Sequence, residues 1–180
     1  MRILIVCLFF CSSVIAQSHD ILVKDRYSNY DYAYAVRIPK ELTGSQSPAP
    51  FPNHGFAIQL SEDANATLAV DASYNAALWE SFDDAIEANK GYFKDEVGGE
   101  VSVVDRAPAV LGKLKAVRFT MKSKSANAQV REVLLAFREA PGEVGIVYEI
   151  VLTTSTARYD ADKHVMDDLQ KTWRLKSLPR

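Results

Sequence analysis

The chain has 180 residues, with 21 Lys and Arg against 23 Asp and Glu, which gives a formal net charge of −2. This length suits one domain, and it allows a hydrophobic core that is stable without disulfides or metals. The sequence has no block of basic residues that would attract a phosphate backbone, so nucleic acid is excluded as a partner.

The first sixteen residues have the pattern of a secretory signal peptide. Arg2 supplies positive charge, and residues 3–15 form an almost unbroken apolar run. Val14 and Ala16 occupy the positions that a signal peptidase reads, which predicts cleavage between Ala16 and Gln17. The run is shorter than the roughly 20 apolar residues that span a bilayer. We therefore expect an exported protein, periplasmic or extracellular, without stable membrane insertion.

Both cysteines, Cys7 and Cys11, lie inside this predicted signal peptide. The mature chain then contains no cysteine and must be stabilised by packing alone, which suits a bacterial periplasm.

Residues 17–31 are polar, carry scattered tyrosines and show no clean period, so we predict a flexible lead-in there and a single domain over residues 32–176. Tyr34 and Val36 alternate with polar or small neighbours, which predicts a first strand over residues 32–38 that stops at Pro39.

Residues 43–54 are predicted to form a loop, stiffened by three prolines at alternate positions. Apolar residues alternate in the next two segments, 55–60 and 67–74, which predicts two strands. Ser81 then has the features of a helix N-cap, with acidic residues in the first turn. The apolar stripe that follows predicts a helix ending near Lys94, before Gly98.

The rest of the chain is rich in strands, predicted at residues 101–106, 116–122, 130–138 and 144–152. We expect turns around Pro108, at Gly112 and at Pro141, and a hairpin loop over residues 123–128.

A last helix is predicted with Thr156 as its cap. Its apolar residues follow helical spacing and should face the sheet, whereas Asp162 should not. The core residues of this helix are predicted to be Tyr159, Val165, Met166, Leu169 and Trp173. The fold class is therefore α+β, with an antiparallel sheet of about six or seven strands flanked by two helices.

Several short segments carry a family resemblance. They are Ile38-Pro39, Ser81-Phe82-Asp83-Asp84, Leu111-Gly112, Ala116-Val117-Arg118-Phe119, Val147-Tyr148-Glu149-Ile150 and Trp173-Arg174-Leu175. Their order resembles the PsbP-like family, which includes the yeast Ran-binding nuclear import factor and the bacterial DcrB-type envelope proteins. The resemblance covers residues 31–175 and implies an α/β/α sandwich that acts as an adaptor for other proteins. It carries no common set of catalytic residues to this chain, and nothing in the sequence indicates chloroplast targeting.

The candidate binding residues lie in two segments, the loop over residues 48–55 and the segment 74–79. We predict contacts to a partner from Pro52, Asn53, His54, Tyr74 and Trp79. The proline would stiffen the loop, Asn53 and His54 would supply hydrogen bonds, and the two aromatic residues would be apolar anchors. The plainer interpretation is that His54 is a hydrogen-bonded structural residue at the start of a strand.

No catalytic residue, metal or cofactor is predicted. The mature chain lacks cysteine, its histidines are far apart in sequence, and it has no Gly-x-Ser-x-Gly segment. We expect a non-enzymatic binding protein, monomeric or weakly dimeric, whose partner is another envelope or secreted protein. An immunity-type or periplasmic accessory role would fit. The alternatives are a small periplasmic hydrolase with His54 as general base, and a carrier of a small ligand or lipid.

Overall fold

The computed structural model describes residues 20–47, 54–62, 66–124, 128–140 and 144–178. The predicted signal peptide, the predicted contact residues Pro52 and Asn53, and the predicted turn at Pro141 lie outside the described residues.

Within these ranges the chain forms eleven strands and two helices. In chain order they are β1 (Ile21–Val23), β2 (Arg26–Asn29), β3 (Tyr34–Arg37), β4 (Gly44–Gln46), β5 (Phe56–Gln59), β6 (Thr67–Tyr74), α1 (Phe82–Val97), β7 (Val101–Leu111), β8 (Leu114–Ser123), β9 (Gln129–Arg138), β10 (Ile146–Ser155), α2 (Tyr159–Thr172) and β11 (Arg174–Leu175).

The strands form two antiparallel sheets. The main sheet has eight strands in the order β1-β4-β5-β6-β10-β9-β8-β7, and a small sheet has the order β11-β3-β2. The predicted α+β class, with two helices against an antiparallel sheet, is confirmed. The sequence did not predict the second sheet, because it is built from short strands at opposite ends of the chain.

Helix α1 begins and ends where local chemistry requires. The Ser81 Oγ accepts a hydrogen bond from the Asp84 N–H (3.2 Å), and an Asp84 carboxylate oxygen accepts one from the Ser81 N–H (3.0 Å). This reciprocal pair satisfies two amide groups that a helix start leaves free. At the other end Gly98 has a φ of +64°, and its N–H donates to the Lys94 carbonyl (3.0 Å). The predicted N-cap at Ser81 is confirmed, and the helix runs three residues beyond Lys94.

Side chains alternate between the two faces of the main sheet, and each face has its own core. Helix α1 covers one face, where the buried residues include Ile86, Phe93 and Phe119. Helix α2 and the small sheet cover the other, where Tyr34, Tyr148 and Trp173 are buried. We call these the α1 face and the α2 face.

Trp173 lies at the centre of the α2 face, as its spacing predicts. Its ring stacks on Tyr34 with centroids 4.5 Å apart, and it meets Tyr148 edge-on at 5.7 Å. The Tyr148 hydroxyl donates to the Tyr32 carbonyl (2.7 Å), which joins the small sheet to the main one. Aromatic stacking and a buried hydrogen bond therefore hold the two sheets together.

The N-terminal part of the domain is more regular than predicted. Residues expected to be a flexible lead-in form β1 and β2, and Tyr27 in β2 is buried. Residues 44–46, expected to be loop, form β4, which pairs with both β1 and β5. These short strands have weak sequence patterns, and pairing with distant strands decides their structure.

The turn predicted at Pro108 is wrong. Strand β7 continues through this residue, which pairs with Val117, and the register shifts between Val103 and Asp105 instead. Proline is tolerated here because β7 is an edge strand and hydrogen-bonds on one side only. The turn predicted at Gly112 is confirmed, with a φ of +63°.

The start of α2 also differs from its prediction. Thr156 is not the N-cap: its hydroxyl donates to the Ala128 carbonyl (3.0 Å), and Arg158 occupies the cap position without a side-chain cap bond. Asp162 is buried rather than turned away. It accepts a hydrogen bond from the Thr154 hydroxyl (2.6 Å) and forms an ion pair with Arg158 (2.8 Å). Burial of this carboxylate is possible because both partners compensate for its lost hydration.

None of the helices in the described ranges is long and apolar enough to cross a membrane.

Candidate protein-interaction surface

The connection between β6 and α1, residues 75–80, is held closed by Asn75. Its side chain accepts a hydrogen bond from the Trp79 N–H (3.0 Å) and donates one to the Trp79 carbonyl (2.9 Å). Its own N–H donates to the Gly145 carbonyl (2.8 Å), and its carbonyl accepts from the Leu78 N–H (2.9 Å). Three of these bonds lie within the segment, and the bond to Gly145, the residue before β10, ties it to the main sheet.

Two apolar side chains are exposed on and beside this segment. Tyr74, the last residue of β6, is 56 % exposed, and Leu78 is 68 % exposed. Leu78 has a φ of +53°, a left-handed conformation that is disfavoured for a leucine. A residue in such a conformation persists only where its surroundings hold it, and here the bonds of Asn75 do so.

The ring of Tyr32 lies between His54 and Tyr74. The centroid of the Tyr32 ring is 5.4 Å from that of His54 and 5.5 Å from that of Tyr74. Tyr32 itself is buried, and burial raises the pKa of its hydroxyl, with smaller contributions from Tyr74 and Asp71. The uncharged ring of Tyr32, which was not a predicted contact residue, thus joins two that were, His54 and Tyr74. We call the exposed side chains of Tyr74 and Leu78, together with the packed rings of Tyr32 and His54, the Tyr74 surface.

His54 is fixed at the start of β5 by several hydrogen bonds. Its Nδ1 lies 2.9 Å from the Ala72 carbonyl oxygen. Because a carbonyl can only accept, Nδ1 carries the proton and donates. The carbonyl of His54 accepts from the Tyr34 hydroxyl (3.0 Å) and from the Ala72 N–H (3.0 Å). These bonds match the plainer interpretation of His54 as a structural residue.

A cavity of about 370 Å³ adjoins His54, and Ser45, Ser47 and Asp71 also line it. Burial raises the pKa of the Asp71 carboxyl, and the nearby His54 lowers it part of the way back. Among the described residues, the hydrogen bond of the His54 ring goes to a backbone carbonyl and not to a serine hydroxyl or a carboxylate. The chain of hydrogen bonds that a serine nucleophile needs is therefore not assembled in this part of the structure.

Trp79, another predicted contact residue, lies elsewhere. It is half-buried and packs against the core of the α1 face. Leu78, one residue earlier, occupies the exposed position instead. The sequence carries no periodic signal for this exchange, because the segment is neither helix nor strand and its orientation is set by the bonds of Asn75.

His164 and several acidic residues lie on α2. The His164 side chain is exposed. Within the described ranges, no group of three or more His, Cys, Asp or Glu side chains is arranged to hold a metal ion.

The sequence matches no protein-family model and no curated protein. The fold is similar to those of several solved structures. One is cyanobacterial PsbP (CyanoP) from Synechocystis sp. PCC 6803, with 16 % identity, a TM-score of 0.53, and coverage of 92 % of this chain and 96 % of the other.

Two further structures have the same fold. LpqN of Mycobacterium tuberculosis, described as involved in cell envelope biogenesis, is 10 % identical, with a TM-score of 0.60 and coverage of 88 % and 92 %. The Ran-binding protein Mog1p of Saccharomyces cerevisiae is 10 % identical, with a TM-score of 0.53 and coverage of 88 % and 96 %. The PsbP-like fold predicted from the sequence is confirmed. At these identities the likeness is one of fold.

Proposed function

We propose that this chain is an exported, non-enzymatic binding protein that recognises another protein through the Tyr74 surface. The observation that carries this proposal is the exposure of two apolar side chains on fixed backbone: Tyr74 at the end of β6, and Leu78 on the segment that Asn75 holds. Aromatic residues in such positions supply much of the binding energy at protein interfaces.

Rigidity matters because binding costs conformational entropy. The hydrogen bonds of Asn75 fix the backbone of residues 75–80, which includes Leu78. The ring of Tyr74 packs edge-on against the buried ring of Tyr32. A partner that covers these two side chains therefore gains apolar burial with little ordering cost.

The structural neighbours support a binding role. Mog1p is described as Ran-binding, and LpqN as involved in cell envelope biogenesis. Fold alone does not determine function, so these names indicate only that the PsbP-like fold can serve such roles.

Export is proposed from the sequence. The apolar run over residues 3–15 after Arg2 has the composition and length of a signal peptide. When the full chain is expressed in a bacterial host, the protein recovered from the periplasm should begin at Gln17 by N-terminal sequencing. Recovery of uncleaved protein from the cytoplasm would contradict the proposal of export.

The binding proposal is tested with residues 17–180 as bait in an envelope extract of the source organism. We compare the wild type with a Tyr74→Ala/Leu78→Ser variant. The matched control is Tyr92→Ala, which removes an equally exposed tyrosine from α1 (61 % exposed). A partner retained by the wild type and the control should be lost by the double variant. With purified partner, we expect the dissociation constant of the double variant to rise at least about tenfold. Equal retention by all three proteins would overturn the proposal.

The His54→Ala variant separates the binding proposal from the hydrolase alternative. If His54 is structural, the variant loses stability but shows no change in a screen of ester and amide substrates. A hydrolytic activity that is present in the wild type and lost in a folded His54→Ala protein would favour the hydrolase instead.

A further inference from the structure

The small sheet carries a cavity of about 220 Å³ that is lined by three arginines, Arg26, Arg37 and Arg174, together with Ala35 and Thr172. The cavity is smaller than the pockets that enclose whole cofactors or drug-sized ligands, which begin at roughly 300 Å³. Its size suits a single small charged group.

Strand register explains why three arginines meet here. Arg26 of β2 lies directly opposite Arg37 of β3, and Arg174 of β11 lies directly opposite Ala35 of β3. Residues directly opposite each other, and residues two apart on one strand, have side chains on the same face. The three long side chains therefore surround Ala35, whose single methyl group leaves the space between them open.

The positive charges are not neutralised by the described residues. Within the described ranges, no carboxylate lies within ion-pair distance of any of these three guanidinium groups. Arg174 uses one nitrogen, Nη1, to donate to the Lys171 and Trp173 carbonyls at the end of α2 (3.1 and 2.7 Å). Its other N–H groups remain for a ligand, since a guanidinium has five donors.

Two arginines directly opposite each other in a sheet repel and cost stability unless an anion lies between them. The protein as a whole is net negative, so this cluster is a local departure from its overall charge. The backbone that lines the cavity is held in place by a hydrogen bond to Thr172. Thr172 ties the end of α2 to β3, its hydroxyl accepting from the Arg37 N–H (3.2 Å).

We propose that this cavity, the arginine pocket, binds a phosphate group. Three guanidinium groups match a doubly charged tetrahedral oxyanion better than a single carboxylate, because each planar fork can donate two parallel hydrogen bonds to neighbouring phosphate oxygens. The site lies on β2, β3 and β11, whereas the Tyr74 surface lies mainly around β6 and the segment before α1. The two sites can therefore be tested separately.

The test measures phosphate binding to residues 17–180 by calorimetry, with sodium chloride used to hold the ionic strength constant. We compare the wild type with Arg37→Gln and Arg174→Gln. The matched control is Arg106→Gln, which removes an exposed arginine on β7 and changes the net charge equally. We expect inorganic phosphate to bind the wild type and the control, and the dissociation constant to rise at least about tenfold in each pocket variant.

Thermal unfolding gives a second reading that does not depend on calorimetry. Without phosphate, Arg26→Gln should unfold at a slightly higher temperature than the wild type, because one like-charge pair is removed. With phosphate, the wild type should gain thermal stability and Arg26→Gln should gain less. Equal gains in Arg26→Gln and Arg106→Gln would overturn the proposal, as would equally tight binding of acetate and phosphate to the wild type.

The phosphate group has two sources that the experiment distinguishes. Vesicles of phosphatidylcholine with added phosphatidic acid are compared with vesicles of phosphatidylcholine alone. Co-sedimentation of the wild type, but not of Arg37→Gln, with the acidic vesicles assigns the group to a lipid headgroup. Binding of inorganic phosphate without such co-sedimentation assigns it to a soluble phosphate compound. If the wild type binds neither inorganic phosphate nor the acidic vesicles, the proposal is contradicted.

Discussion

The two faces of the main sheet differ in how their charged side chains are paired. On the α2 face, Arg118 pairs with Glu132 and Asp167, and the Tyr159 hydroxyl donates to the second oxygen of Glu132 (2.9 Å). On the α1 face, Glu149 of β10 lies directly opposite another carboxylate, Asp71 of β6.

Burial raises the pKa of Glu149, and a hydrogen bond from the Asn89 amide (3.0 Å) lowers it in part. Among smaller contributions, the charge of Asp71 raises this pKa and that of Arg131 lowers it. The α2 face therefore holds a network of matched charges. The α1 face holds both kinds of contact, the like-charge pair of Glu149 with Asp71 and the ion pair of Arg131 with Glu96. Because the α2 face also buries Tyr34, Tyr148 and Trp173 completely, we expect it to contribute more to the stability of the fold.

The largest expected effect is at Trp173. Trp173→Ala should lower the free energy of unfolding by about 3–5 kcal/mol, because it removes the ring that fills the space between Tyr34 and Tyr148. The comparison on the α1 face is Phe82→Ala, which removes a half-buried ring stacked on Phe137 and should cost less than half as much. Urea unfolding followed by circular dichroism measures both. Equal losses would show that the faces contribute alike.

The paired charges of the α2 face should give the next largest effect. Arg118→Met leaves Glu132 buried without its main partner and should cost about 3 kcal/mol. The double variant Arg118→Met/Glu132→Met should recover much of this loss. The counterpart near α1 is Arg106→Met, which breaks an exposed pair with Asp83 and should change stability by less than about 1 kcal/mol. A double variant less stable than Arg118→Met would show that Glu132 needs no partner.

The two helices also differ at their N-terminal ends: α1 has a side-chain cap bond and α2 has none. Ser81→Ala removes the side-chain cap of α1 and should cost about 1 kcal/mol. Thr156→Ala, before α2, removes only a hydrogen bond from the threonine hydroxyl to the Ala128 carbonyl and should cost less. Chemical denaturation compares the two. If Thr156→Ala proved the more destabilising, its bond to Ala128 would be more important than the cap.

The like-charge pair on the α1 face should give an effect of opposite sign, about as large as that of the Ser81 cap. A carboxyl whose pKa is raised on folding binds more protons in the folded state, so stability falls as the pH rises above its ordinary pKa of about 4.5. Glu149→Gln keeps an acceptor for Asn89 and removes the repulsion of Asp71. We expect its melting temperature at pH 7 to exceed that of the wild type by about 2–4 °C, the shift that 1 kcal/mol produces in a domain of this size.

This gain should shrink as the pH falls below 4.5, where Glu149 is protonated in both the folded and the unfolded wild type. Melting curves across pH 4–8 measure it. A gain that is the same at pH 4 and pH 7 would show that the glutamine acts through packing and not through charge.

Much of the fold was predictable because its signals are local. The cap at Ser81, the turn at Gly112 and the alternating residues of β8, β9 and β10 each depend on residues close together in the sequence. The apolar spacing that places Trp173 against the sheet is local as well. These features sufficed for the α+β class and for the PsbP-like fold.

The remaining features depend on contacts between distant parts of the chain. Strand β7 continues through Pro108 because it lies at an edge, and Asp162 is buried because Thr154 and Arg158 meet it there. No local pattern contains either fact.

The candidate sites divide along the same line. The sequence singled out His54 and Tyr74 by residue type and position. Only the tertiary structure placed Tyr32 between them and turned Leu78, not Trp79, towards solvent. The arginine pocket belongs wholly to the tertiary structure. Its three residues lie on strands from both ends of the chain, and strand pairing alone brings Arg174 beside Arg26 and Arg37.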